Sequence, residues 1–175
     1  LADYQDRGHE IWLELGLQSA FDATLERVNR GHTFDDYRRA VRAARARRLR
    51  VCTHLIVGLP GETAAHARAS HGRVLELGVD GLKLHPLHVV KGTALANSFQ
   101  RGEYRPIAQH DYISIVADLI ESTPPAIVFH RLTGTASAQV LLAPAWCVKK
   151  WAVLNGIEQE LARRGTRQGA ALTAR

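Results

Sequence analysis

Two glycines, Gly58 and Gly61, bracket Leu59 and Pro60 at the point where an apolar run, Val51 to Val57, gives way to the turn GLPGET. Glycine carries no Cβ, so backbone N–H groups in such a turn can approach a ligand closely. The same spacing also serves an ordinary strand-to-helix turn, so its neighbours must decide the matter. Four polar side chains, Gln18, His54, His85 and His130, follow apolar residues in short extended runs. Side chains at strand ends of this kind line the sites of parallel α/β folds. Cys52 and Cys147 lie far apart and lack CxxC spacing, which argues against a zinc site and supports a disulfide only weakly.

The elements that position these groups follow from periodicity. Ile11 to Gln18 alternates, with Ile11, Leu13, Leu15 and Leu17 on one face and Trp12, Glu14, Gly16 and Gln18 on the other. Asp22 predicts a helix start, with Leu25 and Val28 inside and Gly31 at the C-cap. Thr33 opens a second helix in a capping-box pattern with Asp36; Tyr37, Val41 and Ala44 form its buried stripe. Val51 to Val57 is the next strand, followed by a helix from about Thr63 to Leu77 that stops at Gly78. Gly81 to His85 forms a third strand, with Lys83 and His85 on the face opposite Leu82 and Leu84. Tyr112, Ile115, Val116, Leu119 and Ile120 recur at helical spacing until Pro124-Pro125. Ala126 to His130 is a fourth strand. Trp151, Leu154, Ile157 and Leu161 mark a last helix ending at Gly165, beyond which the chain is too small and basic to pack.

Strands alternating with helices imply parallel strands with right-handed crossovers. A doubly wound sheet and a β/α barrel both fit, and the polar strand ends favour the barrel. Four strands cannot close one. The expected fold is α/β, the second half of a partial β/α (TIM-like) barrel, spanning residues 1–142, with a C-terminal helix and basic tail over 143–175.

Composition sets further bounds. The chain has 175 residues, 46% hydrophobic and 23% charged, ordinary for one soluble domain. No apolar run is long enough to cross a bilayer. The cysteine usage makes a reducing cytoplasm the default location. Net charge is +6, concentrated in seven arginines between Arg38 and Arg50 and in a tail with six cations against two glutamates. Such patches can attract phosphate, or can simply be a solvated helix face and a loose tail. The chain opens at Leu1 and contains no methionine, consistent with the back part of something longer.

ELGLQSAFDATLERVNRGHT followed by HLIVGLPGET resembles the second half of the radical S-adenosylmethionine (SAM) domain. The similar branch includes oxygen-independent coproporphyrinogen dehydrogenases and elongator-type tRNA-modifying enzymes. GVDGLKLHPLHVVKGTALA and LLAPAWCVKKW resemble an uncharacterised bacterial subfamily of that branch. The resemblance runs from about residue 8 to residue 155. It implies a reduced [4Fe-4S] cluster that cleaves SAM to a deoxyadenosyl radical, which abstracts hydrogen from substrate, with the protein orienting the cofactors.

By the same resemblance Gln18 bonds the SAM ribose hydroxyls, an amide suiting groups that both donate and accept. Arg30 pairs with the methionyl carboxylate through its planar fork, although a surface role at a helix end is the alternative. Gly58, Leu59, Pro60, Gly61 and Glu62 lie along the adenine. His54 stands where relatives often carry a carboxylate as second ribose ligand, and otherwise is a hydrogen-bonded core histidine. Glu14, Lys83, His85, His88 and His130 are candidates to line a substrate cavity. The resemblance also implies an electron donor such as flavodoxin or ferredoxin, with tRNA among the candidate substrates. The family's CxxxCxxC motif is not in this chain, and two isolated thiols leave a cluster under-ligated. The cluster ligands are therefore expected upstream, and the chain is expected to be inactive alone. The alternative function is a non-catalytic half-barrel that binds nucleotide or RNA.

Overall fold

The structure is a computed structural model and describes residues 1–172. Four strands, β1 (Trp12–Gln18), β2 (Arg50–Val57), β3 (Gly81–Pro86) and β5 (Val128–Arg131), form one parallel sheet in that order. Each new strand is laid beside the one before it, with no reversal of direction across the sheet. A doubly wound sheet reverses its strand order and covers both faces with helices; this one does neither, which decides for the barrel-type winding.

The period-2 alternation separates the two faces. Leu13, Leu15 and Leu17, then Val51, Leu55 and Val57, then Leu82 and Leu84, pack into a single core against the helices. Those helices are α3 (Phe34–Ala46), α4 (Ala64–Leu75) and α6 (Gln109–Glu121). They contribute Tyr37, Val41, Ala67, Val74, Tyr112, Val116 and Leu119. Among the described residues Thr53 is the one polar strand residue buried on this side, and the Tyr37 hydroxyl meets its Oγ1 at 2.5 Å. A buried hydroxyl needs such a partner. The other face carries Trp12, Glu14, Cys52, His54, Lys83 and His85, placed there by the registers Glu14↔Cys52↔Gly81 and Gly16↔His54↔Lys83.

Caps explain most helix limits, with some corrections to expectation. Thr33 and Asp36 form the reciprocal capping box of α3. Asp22 is not the cap of α2 (Asp22–Arg27); it lies in the first turn, and its Oδ1 accepts instead from Phe34 N at 2.7 Å, at the start of the next helix. Gly31 is likewise displaced from the C-cap, because Asn29, at φ 52°, already takes the left-handed turn after Val28. In α7 (Lys150–Arg164) the buried residues are Val153 and Ile157, whereas Trp151 is 73% exposed. Arg164 ties α7 to α6 through Asp118, Glu121 and Ser114.

Residues 166–172 pack, contrary to expectation. Gln168 Nε2 donates to the carbonyls of Pro124 and Ile127 at 2.9 and 2.8 Å, and Gly169 N donates to Ile120 O. The last part of the basic tail, residues 173–175, lies outside the described residues. The arginine-rich α3 is largely occupied locally: Arg38 and Arg39 pair with Asp35 and Asp36, and Arg45 reaches the Gly78 carbonyl.

Three pieces had no counterpart in the periodicity. A short helix α1 (Ala2–Asp6) precedes the sheet. Beyond β3, β4 (Val89–Val90) pairs antiparallel with β6 (Leu141–Ala143), and α5 (Ala94–Gln100) packs on them. Val89, Ala96, Tyr104 and Ala143 make a second small core there. Among the described residues no helix is long and apolar enough to cross a membrane.

Candidate functional site

A cavity of about 620 Å³ opens at the C-terminal ends of β1 and β2. Gln18, Asn29 and Arg30 stand on one side of it, Ile56, Leu59 and Pro60 form its wall, and α5 with Leu87 and Tyr104 covers it. The strand end is built for this shape. Gln18 sits at φ 70° beside an irregularity in the β1–β2 ladder between Gly16 and Gln18. Arg30 Nε donates to Gln18 Oε1, and its Nη2 donates to Gly16 O at 2.8 Å. A Cβ on Gly16 would stand 2.9 Å from both Arg30 Nη2 and Gln18 Nε2, so a larger residue there would make the ends of both side chains shift. His32 Nε2 contacts the same carbonyl at 3.1 Å.

The GLPGET turn is fixed from both sides. Tyr104 donates to Gly58 O at 2.8 Å, and burial pushes its phenol up to about 12, keeping it a donor. Arg27 Nη1 donates to Pro60 O at 2.8 Å, passing so close that a Cβ on Gly61 would lie 1.9 Å from it. Gly61 is also at φ 80°. Gly61→Ala is therefore expected to lower stability by about 1 to 2 kcal/mol and to displace Arg27. Chemical denaturation of parent and variant measures it; equal midpoints would show that the turn does not depend on this glycine. Glu62 accepts from Ser19 Oγ at 2.5 Å, so its carboxylate is engaged in joining the two loops. A second concavity of about 500 Å³ lies on the far side of the turn, lined by Arg68, Asp111 and Asp118 of α4 and α6 and by the turn itself, so that Gly58, Gly61 and Glu62 face this space and only Leu59 and Pro60 reach the cavity of Gln18 and Arg30.

The remaining polar candidates other than His88 occupy the inner face of the sheet. Lys83 Nζ donates to Glu14 Oε1, and His54 Nε2 lies 3.2 Å from Oε2. The Lys83 hydrogen bond leads in holding the Glu14 carboxyl below its usual range, while burial depresses His54. His54 is mid-strand and does not line the cavity, so it is not brought to Gln18. His85 stacks near His54, ring centroids 6.3 Å apart, and burial with Arg131 beside it lowers its imidazole to about 4. His130 folds over Gly81 against Trp12, centroids 4.4 Å apart. His88 lies in the turn after β3, its Nε2 buried without a partner among the described residues. Lys83, Glu14 and His130 thus share one face with Cys52, while His88 stands apart. Tyr104 and Arg27 were missed, because they carry no periodic signal; Cys52 was weighed only for its spacing from Cys147, although it shares the parity of His54.

The Radical SAM superfamily model matches residues 1–71, and the Radical_SAM C-terminal domain model matches residues 79–163. The chain belongs to the radical SAM superfamily. Protein YhcC of Escherichia coli is 47% identical over 172 residues, covering 98% of this chain and 55% of that protein. The tRNA uridine(34) acetyltransferase of Methanocaldococcus jannaschii is 29% identical over 133 residues, 74% of this chain and 25% of that one. The solved structure of Methanocaldococcus infernus Elp3 superposes with a TM-score of 0.80 over 90% of this chain and 37% of its own, at 22% identity, and shows the common fold. The chain spans about half the length of curated relatives such as YhcC. At the level of the superfamily, membership implies SAM and a [4Fe-4S] cluster. The radical SAM cysteine motif is not in this chain, and Cys52 and Cys147 are both buried, in separate elements, so its own thiols do not fit a cluster.

Proposed function

We propose that the cavity above β1 and β2 is the SAM-binding half of a radical SAM enzyme. The observation that carries it is the joined pair Gln18 and Arg30, facing Leu59 and Pro60 of the GLPGET turn across the same space. Gln18 has an amide suited to ribose hydroxyls, and the Arg30 fork is suited to the methionyl carboxylate. Leu59 and Pro60 offer an apolar wall to the adenine. When bound, SAM supplies the group that abstracts hydrogen from substrate. The chain's own residues bind it and fix its orientation, with α5 and Tyr104 lining the side opposite Gln18 and Arg30.

The inner face, with Glu14, Lys83 and His85, is proposed to receive substrate. The likeness to a protein named for tRNA uridine supports tRNA as that substrate, with a flavodoxin- or ferredoxin-type electron donor in the reducing cytoplasm. His54, engaged with Glu14, belongs to this face rather than to the ribose.

Calorimetric titration of the full chain with SAM is expected to show saturable binding. Gln18→Ala should weaken it by about 1 kcal/mol, roughly fivefold, the net value of a hydrogen bond to an accessible hydroxyl. Absence of binding by the parent, or unchanged affinity in Gln18→Ala, would remove the basis for the assignment.

A further inference from the structure

Glu14, Cys52 and Gly81 form one row across the inner face, directly paired in the β1–β2 and β2–β3 ladders. Because Gly81 has no side chain, the row has a gap at β3. His130, from β5, leans across it: a Cβ on Gly81 would stand 3.0 Å from His130 Nε2 and 2.9 Å from the Trp12 ring. A ligand atom of Glu14, of Cys52 and of His130 thereby come to lie within 4.8 Å of one another. Neither the Cys52 thiol nor the His130 imidazole has a hydrogen-bond partner among the described residues.

We propose that these three side chains bind one divalent ion of the zinc class. Thiolate, imidazole and carboxylate together are the donor set such ions take, and three protein ligands leave a fourth position open. An incoming ion takes Glu14 Oε2 in place of His54, while Lys83 stays on Oε1 and holds the carboxylate toward the gap. The Trp12 ring packs edge-on against the His130 imidazole, centroids 4.4 Å apart. This row shares no residue with the lining of the cavity proposed for SAM.

The test is a Co²⁺ titration of the metal-stripped full chain, followed by absorption. A near-ultraviolet thiolate-to-cobalt band is expected to saturate at about one ion per chain, with visible bands of tetrahedral intensity, and to be displaced by Zn²⁺. Cys52→Ala should abolish the thiolate band and Cys147→Ala should leave it unchanged. His130→Ala should weaken binding by about a hundredfold, since even outer-sphere partners commonly count for about ten- to a hundredfold. Cys52 is fully buried, so its variant is checked by circular dichroism. If it does not fold, the exposed His130 position carries the test. No thiolate band in the parent, a band that follows Cys147, or unchanged affinity in His130→Ala would overturn the proposal.

Discussion

Arg30→Ala is expected to weaken SAM binding by about ten- to a hundredfold, equivalent to about 1.5 to 3 kcal/mol for a charge-assisted interaction. Two losses coincide at this position. The carboxylate of the ligand loses its planar partner, and Gln18 loses the contact on its Oε1 that holds the side chain at the end of β1. Arg30→Lys should recover little, because an ammonium cannot reach both Gly16 O and Gln18 Oε1 and still present a fork. Arg42→Ala, on the exposed side of α3, should leave the affinity unchanged. Calorimetric titrations on variants of matched thermal stability provide the comparison. Parent-like affinity in Arg30→Ala would reduce Arg30 to a support for the strand end.

Acidification is expected to destabilise the fold through His71. This imidazole is 2% exposed in α4, its Nε2 donates to Thr123 Oγ1 at 2.7 Å, and Thr123 in turn donates to Leu119 O. Burial lowers its pKa from 6.5 to about 4. Between those values the unfolded chain binds a proton that the folded chain refuses, so stability is fully present above 6.5 and is lost as pH falls toward 4. The loss approaches about 3 kcal/mol. His85, depressed in the same direction, adds to the slope, so the diagnostic quantity is the difference between parent and His71→Gln. Glutamine can donate to Thr123 without titrating. Urea midpoints measured from pH 7 to about pH 4 should fall more steeply for the parent; parallel curves would show that His71 does not govern the acid response.

The strands were legible because their two faces differ in chemistry. Leu13, Leu15 and Leu17 against Trp12, Glu14 and Gln18 is the pattern of a half-buried strand, and the same parity put Lys83 and His85 on the polar face of β3. What alternation could not convey is which polar residues meet across strands. Register brings His54 to Glu14 instead of Gln18, and Gly81 admits His130 to the row of Cys52. Residues 87–108 were opaque for a different reason. A two-residue strand and a seven-residue helix are too short to show a period, and they fold against a partner strand some 50 residues away. Asp22 illustrates a third limit: the residue type correctly signalled a cap, but tertiary proximity assigned it to α3.

The loops after β1 and β2 are joined to each other and to their surroundings by Ser19 to Glu62, Arg27 to Pro60, Tyr104 to Gly58 and Ala20 to Ser70. Two loops so linked have few independent motions left to lose. Ligand capture in such a cavity forfeits little conformational freedom, so affinity there reflects contact quality more than the cost of ordering. It also means that the two loops share their excursions. A fluctuation that opens the GLPGET turn must break the tie to the Ser19 loop, and the backbone amides of both should exchange with solvent at a common rate.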